Sequence, residues 1–337
     1  MKHILVIGGG VAGIEASAKL SNLGYAVTIV EQSDKLGGKL NQWDRLFPHN
    51  LPAKDLLQKL KSSLGNSVQK YMNTEVASIQ KSKNQFFYSL KNGEDLKADA
   101  ILISTGFEVF NARKKEEYGY GIYDNVITSV DLEQLFRGNG ELRTSSGKAP
   151  ERVGIIHCVG SRDEKAGHAY CSQVCCITAV KQAIEIKQAL PKSEVFCFYM
   201  DLRMFGRHFE TIYKEAQVKH GIQFIRGRLS EAFENPDGTI MLKAEDTLLG
   251  KPLKMNVDMV VLMVGMTPAS GAGKIKEMLE LELADDGFFM PLEVPQGSTK
   301  TSIPGVFVAG TSAGPKTMEN TINEAHAVAL EIKEYLK

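Results

Sequence analysis

Apolar positions along the chain follow two rhythms. Short apolar runs at Ile4–Ile7, Ala26–Val30, Ala100–Ser104, Val153–His157, Glu194–Met200, Met259–Val264 and Val306–Ala309 have strand length. Runs of this kind read as strands buried on both faces of parallel sheets. Between them, apolar residues recur at three- and four-residue spacing, predicting helices over Val11–Leu23, Ala53–Leu64, Val174–Ala189 and Phe209–Lys219, with a last one from Thr317 onward. Gly24 ends the first helix. Further strands are expected near Thr74–Ile79 and Phe86–Leu90, the latter closed by Lys91-Asn92-Gly93, with another turn at Asn235–Gly238. Strand alternating with helix predicts an α/β fold. A β–α–β unit opens twice, at Ile4 and again at Val153, and the stretch from Phe107 to Pro150 is polar and glycine-rich. The expectation is one domain from residues 1–111 and 267–337, with a second inserted at 112–266.

Composition narrows the class. The 337 residues are 43% hydrophobic and 24% charged, as in a globular protein with a sizeable core. Forty basic residues cancel forty acidic ones, which argues against nucleic acid or an anionic membrane as partner. No apolar run approaches the roughly 20 residues that span a bilayer. Met1-Lys2-His3 leads straight into the first strand without a cleavage pattern, so a cytoplasmic location is expected.

The first β–α turn carries chemistry. Gly8-Gly9-Gly10-Val11-Ala12-Gly13 places GxGxxG after a strand and at the opening of a helix. Gly8 permits the tight turn, Gly10 lets a pyrophosphate approach, and Gly13 lets helix and strand pack closely. Unpaired N–H groups and the positive helix end favour phosphate there. Glu31 ends the second strand, where a carboxylate would take the adenosine ribose hydroxyls. Three later motifs resemble those of flavoproteins with two dinucleotide domains. These are Leu36-Gly37-Gly38-Lys39, Ile101-Leu102-Ile103-Ser104-Thr105-Gly106, and Val306-Phe307-Val308-Ala309-Gly310-Thr311. The resemblance implies FAD, contacted by Gly8, Gly10, Val11, Ala12, Gly13, Glu31, Gln32, Gly37, Gly38, Lys39, Leu40, Val76, Thr105, Gly106, Gly310, Thr311, Thr317 and Met318. Thr311 stands where such proteins keep an aspartate, leaving the ribityl contact to a hydroxyl or to backbone. Thr317 is the expected N-cap of a helix aimed at the flavin N1–O2 edge, which stabilises the anionic reduced flavin.

Of five cysteines, Cys158, Cys171, Cys175 and Cys176 fall close together, spaced C-x12-C-x3-C-C, while Cys197 sits in an apolar strand and reads as core. An odd count without a secretion signal argues against a disulfide framework. No GxGxxG follows the strand at Val153, where a nicotinamide enzyme would keep its second fingerprint. Four soft donors suit a 4Fe-4S cluster. Four-thiolate zinc is the nearest competitor, although adjacent cysteines are uncommon in zinc knuckles. A strained Cys175–Cys176 disulfide is a third option.

With Cys158-Val159-Gly160-Ser161-Arg162-Asp163, Tyr170-Cys171-Ser172-Gln173-Val174-Cys175-Cys176, Lys181-Gln182-Ala183 and Asp201-Leu202-Arg203-Met204-Phe205-Gly206, the chain resembles the A-type component of heterodisulfide reductase. That resemblance implies a thioredoxin/glutathione-reductase-like core, its second domain lacking an NAD fingerprint and its four cysteines holding a 4Fe-4S cluster. The sequence has neither the extra cysteine-rich N-terminal segment nor the C-x2-C-x2-C-x3-C-P run of the methanogen form. In this it resembles the short heterodisulfide-reductase-like proteins of sulfur-oxidising prokaryotes. The implied function is electron transfer between FAD and the cluster within a complex. The implied partners are B- and C-type subunits, a lipoate-carrying protein reached through the complex, and a second copy of the chain. One rival expectation is an NAD(P)H-dependent disulfide reductase using two of the cysteines; another is a flavin-stabilised scaffold with structural zinc. Lys181, five residues past Cys176, is a candidate modulator of flavin or cluster. Asp201 is expected to be a relic of a ribose-binding acid or to pair with Arg203, and His157 and His168 are expected to surround the cysteines. Trp43, Phe47 and Pro48 are expected in ordinary core.

Overall fold

The computed structural model describes residues 1–292 and 299–337. Two compact units emerge: Met1–Asn41 with Ala53–Glu108 and Thr267–Lys337, and Gln42–Pro52 with Val109–Met266. Residues 42–52, inside the first expected domain by sequence, pack with the second unit.

Among the described residues of the first unit, five parallel strands run in the order Val306–Val308, Ala100–Ile103, His3–Ile7, Ala26–Val30, Val68–Tyr71. The central strands are apolar because both faces are covered. Ile4, Leu5, Ile101, Leu102 and Ile103 are wholly buried, each contributing roughly 1.5–3 kcal/mol of transfer free energy. Helices Val11–Asn22 and Met318–Tyr335 pack on each other. A three-stranded antiparallel sheet, Val76–Ser82, Gln85–Leu90 and Asp95–Ala98, places Phe86 and Tyr88 in the core beside helix Ala272–Leu279.

The second unit repeats this plan. Its parallel strands run Val126–Thr128, Met259–Val264, Arg152–Val159, Glu194–Tyr199, Gln223–Arg226, with Leu229–Glu234, Ile240–Asp246 and Lys251–Val257 as the antiparallel sheet. Helix Cys175–Ala189 covers the parallel sheet, with Ala179, Val180, Ala183 and Ile186 fully buried. The α/β expectation is met, and the predicted elements agree within a residue or two at most ends. The polar stretch 107–150 differs from expectation, because it holds helix Ser129–Arg137. Thr128 and Asp131 start it reciprocally: Thr128 Oγ1 accepts from Asp131 N at 3.2 Å, and Asp131 Oδ2 accepts from Thr128 N at 2.8 Å.

One buried ionic cluster braces this unit. The Asp163 carboxylate accepts from Lys115 Nζ at 2.8 Å and from Arg228 Nη2 at 2.7 Å. Replacing Asp163 with alanine leaves the buried Lys115 ammonium with Glu117 alone, at 2.6 Å, and is expected to cost about 1.5–3 kcal/mol in denaturant unfolding. A loss under about 1 kcal/mol would show that solvent reaches the pair. Among the described residues no helix is long and apolar enough to cross a membrane.

Candidate functional site

In the first unit the glycines of the opening turn are fixed by what a side chain would strike. Gly8 has φ +106°, and a Cβ there would sit 2.5 Å from the Ser104 carbonyl oxygen. A Cβ on Gly13 would lie 2.0 Å from the Gly8 carbonyl oxygen, so helix and strand close to backbone contact. A Cβ on Gly10 would meet nothing within 4 Å. Gly10 also caps the helix without a side chain, leaving the N–H groups of Val11, Ala12 and Gly13 no side-chain acceptor. The second glycine turn lies on the first: Gly37 N donates to Gly9 O at 2.8 Å, and a Cβ on Gly38 would come within 3.2 Å of Gly10 Cα.

Glu31 holds this turn as well as facing it. Its carboxylate accepts from Gly9 N at 2.7 Å, from Ser33 N at 2.9 Å and from Ser33 Oγ at 2.7 Å. A carboxylate offers about four lone-pair positions, so capacity for a ribose hydroxyl is left. Gln32 is exposed, Leu40 is buried, and Lys39 Nζ reaches Glu108 Oε2 at 2.9 Å. The Val76 side chain is in the core with Ile7 and Val30.

At the late strand, Gly106 N donates to Ser312 Oγ at 3.0 Å, and Gly310 (φ +72°) presses on Ala12. Thr105 Oγ1 is buried without a hydrogen-bond partner, a state costing about 1–3 kcal/mol until something fills it. Thr311 lies beside Gly106. Thr317 caps the last helix, accepting from Asn320 N at 3.1 Å, and Met318 is the first helical residue. Sequence patterns do not single out Glu324, whose carboxylate accepts from Gly310 N at 2.5 Å and from Lys316 Nζ at 2.7 and 2.8 Å. Only the register of that helix, fourteen positions on from Gly310, brings an acid back to the glycine whose follower is Thr311. An orphaned threonine hydroxyl, an open approach at Gly10 and unpaired first-turn N–H groups fit a dinucleotide.

In the second unit the cysteines gather where the parallel strands end. Strand Arg152–Val159 carries a bulge against Met259–Val264: Ile156 pairs with Leu262, but Val159 pairs with Val264, one residue out of step. Cys158 lies within that bulge at φ +58°, a left-handed conformation rare for cysteine. Gly160, Arg162 and Gln173 are left-handed too, at +71°, +53° and +60°. The loop returns through Tyr170, whose carbonyl accepts from Arg162 N at 2.8 Å, and Ser172 N donates to Ser161 Oγ at 3.0 Å. Helix Cys175–Ala189 then begins at Val174 with no side-chain cap.

Cys158, Cys175 and Cys176 are buried, and Cys171 is half-buried. The neighbouring Cys158 and Cys176 sulfurs, together with burial, raise the Cys175 thiol well above the ordinary thiol range. Donation from that thiol pulls Cys158 down, helped by the guanidinium groups of Arg162 and Arg203. It pulls Cys176 down to about 4, with the His157 imidazole and the Arg203 backbone N–H adding to the effect. Cys176 Sγ lies 3.6 Å from the Asp201 carbonyl oxygen, and Cys171 Sγ accepts from Gln173 N at 3.3 Å. Both ring nitrogens of His157 are buried without a hydrogen-bond partner, whereas His168 Nδ1 is 3.1 Å from Gly160 O. Among the described residues no three His, Cys, Asp or Glu side chains are arranged to hold a single metal ion. The donors themselves, Cys175 and Cys176 in the first turn of a helix and Cys158 packed in the same core as Cys175, have the chemistry of a thiolate-ligated iron–sulfur centre. Cys197 is core, its thiol pushed up by burial.

Two neighbours take partners that the sequence alone does not assign. Asp201 pairs with Arg162 Nη2 at 2.8 Å and Arg226 Nη2 at 3.4 Å rather than with Arg203, because Arg162 and Arg226 leave the ends of neighbouring strands beside it. Lys181 is buried, its ammonium on Glu133, 3.0 Å from Arg45 O and 3.3 Å from Glu185. Glu133 also accepts from Gln182 Nε2 and from Asp44 N, both at 2.9 Å. Phe47 is half-buried and packs edge-on against Phe209.

Glu185 has a consequence for stability. Burial, with Glu133 close by, raises its carboxyl from 4.5 to about 7. A raised folded-state value means the folded chain binds the extra proton, so stability is full below 4.5 and is lost as pH climbs through 7. Between about pH 4.5 and about pH 8 the loss is expected to be about 3 kcal/mol. Glu185→Gln should abolish that slope in urea titrations at about pH 5 and about pH 8; an unchanged slope would remove Glu185 from the account.

A family model described as pyridine nucleotide-disulphide oxidoreductase matches residues 2–141 and 178–328. The interruption, 142–177, contains Cys158, Cys171, Cys175 and Cys176. The iron-sulfur A-type component of the CoB–CoM heterodisulfide reductase of Methanocaldococcus jannaschii is 33% identical over 97% of this chain and 63% of its own length. The A-type component of the ferredoxin/F420H2-dependent CoB–CoM heterodisulfide reductase of Methanosarcina acetivorans is 28% identical over 99% of this chain and 53% of its own. The chain thus spans somewhat over half the length of these relatives. Thioredoxin reductases of T. acidophilum and Lactococcus lactis share the fold at TM-scores of 0.67 and 0.69, with 17% identity over 100% of this chain and 100% and 99% of their own. The bacillithiol disulfide reductase of Staphylococcus aureus does so at 0.64 and 14% identity, over 100% of both chains.

Proposed function

Because the chain belongs to the pyridine nucleotide-disulphide oxidoreductase family and is related to the A-type components of heterodisulfide reductases, we propose that this flavoprotein oxidoreductase relays electrons between FAD and a 4Fe-4S cluster. The carrying observation is that four cysteines fall in the stretch where the family match breaks off, with Cys175 and Cys176 opening a helix and Cys158 packed in the same core as Cys175. Bound FAD accepts electrons in pairs, and a cubane cluster passes them singly.

The chain's own residues bind, orient and tune. Gly10 leaves the pyrophosphate room, and the N–H groups of Val11, Ala12 and Gly13 meet its charge. Glu31 takes the ribose, Thr105 Oγ1 gains the partner it lacks, and the helix capped by Thr317 turns its positive end to the flavin. Cys158, Cys171, Cys175 and Cys176 are the cluster ligands, and loss of the Cys175 proton accompanies ligation. In this reading the protein works in the cytoplasm, as a homodimer, with B- and C-type heterodisulfide-reductase-like subunits. Its complex oxidises sulfur delivered on a lipoate-carrying protein.

Anaerobic purification with flavin, iron and acid-labile sulfide analysis tests the proposal. About one FAD, four iron and four sulfide per chain are expected. Flavin without iron or sulfide would overturn it, and rapid bleaching on mixing with NADPH would favour a nicotinamide-dependent disulfide reductase.

A further inference from the structure

Arg162 stands out among the charged residues near the cysteines, because half of its guanidinium has no visible task. Nη2 is spent on Asp201 Oδ2 at 2.8 Å, while Nη1 is buried without a hydrogen-bond partner. A buried N–H of a permanently charged group left unpaired is expensive, so a fold that retains one reserves it for an acceptor it lacks. The backbone is set up to deliver it. Cys158, Gly160 and Arg162 alternate through left-handed conformations, and Arg162 N is tied to Tyr170 O at 2.8 Å. The charges felt at the guanidinium include the Cys158 and Cys171 sulfurs. Asp201 completes the frame, since its carboxylate holds Arg162 while its carbonyl lies 3.6 Å from Cys176 Sγ.

We propose that Arg162 is a tuning residue for the cysteine-held redox centre: its free Nη1–H donates to a sulfur of that centre, and Asp201 sets how much of its positive charge is felt. This rests on the cluster reading above. A donor and a positive charge at the sulfurs stabilise the more negative, reduced state. Removing them favours the oxidised state. Asp201 opposes that effect, so neutralising the aspartate works in the other direction. A clamp that only holds the loop would not give shifts of opposite sign.

The test is a spectroelectrochemical titration of anaerobically purified wild-type protein, Arg162→Met, Arg162→Lys and Asp201→Asn, with iron and sulfide counted in each. Arg162→Met should lower the ratio of reduced to oxidised cluster at a fixed poise about tenfold, a shift of about 59 mV to lower potential for one electron. Arg162→Lys should recover most of it, and Asp201→Asn should raise the ratio. If Arg162→Met sheds its iron, the sign of the Asp201→Asn shift decides. Iron-replete variants with unmoved potentials, or with shifts of the same sign, would overturn the tuning role and leave the cluster reading standing. Absence of iron and sulfide from the wild type would remove the cluster reading itself.

Discussion

Gly10→Ala is expected to leave the folded chain intact and to weaken FAD binding at least a hundredfold, about 2.7 kcal/mol. The protein offers a Cβ at this position only open space, and φ is −76°, so no strain arises within the chain. On the proposed reading, what the methyl group would meet is the ligand, at the point where a pyrophosphate approaches backbone. Gly13→Ala is the contrasting change. Its Cβ would fall 2.0 Å from the Gly8 carbonyl oxygen and 2.8 Å from Ser104 Oγ, so helix and strand must separate. Flavin loss there should come with a lowered melting temperature even without ligand. Titration of flavin-free protein by FAD fluorescence, beside thermal melts of both variants, checks the pair. Gly10→Ala binding FAD like the wild type would mean the pyrophosphate does not pass over Gly10.

Cys175→Ser is expected to abolish cluster binding, with iron content falling at least tenfold after anaerobic purification. Serine replaces the soft donor that packs in one core with Cys158 and precedes Cys176, and hard alkoxide ligands are poor substitutes for thiolate. Cys158→Ser and Cys176→Ser should behave alike, and Cys171→Ser tests the half-buried fourth position. Cys197→Ser is the control. Its sulfur is wholly buried in strand Glu194–Tyr199, so the variant should lose stability, about 1–3 kcal/mol for an unpaired buried hydroxyl, yet keep its iron. A full complement of iron in Cys175→Ser would detach the metal from these cysteines.

What the sequence displays and what it hides differ for physical reasons. The strand runs and the glycine turn are local: Gly8, Gly10 and Gly13 act through residues that periodicity already places nearby. The α/β architecture and the dinucleotide turn are therefore readable. Helix Ser129–Arg137 escapes because its capping pair, Thr128 and Asp131, uses aspartate instead of the commoner glutamate, inside a stretch dominated by polar residues and glycine. Side-chain partners are harder still. Lys181 and Glu133 are 48 positions apart, and Arg162 and Asp201 39, and one-dimensional spacing carries no information about such meetings. Glu324 illustrates the same limit in the first unit, where helix register alone returns a carboxylate to Gly310.

The surplus residue between Ile156 and Val159 works as a phase shift in strand Arg152–Val159. Upstream of it the strand keeps the in-and-out alternation that fits its neighbours; downstream, every side chain is displaced by half a period. Deleting one residue there would mend the ladder with Met259–Val264 and turn the following sulfur away from the helix that supplies Cys175 and Cys176. Regular pairing through this stretch would therefore give up the left-handed backbone that carries Cys158.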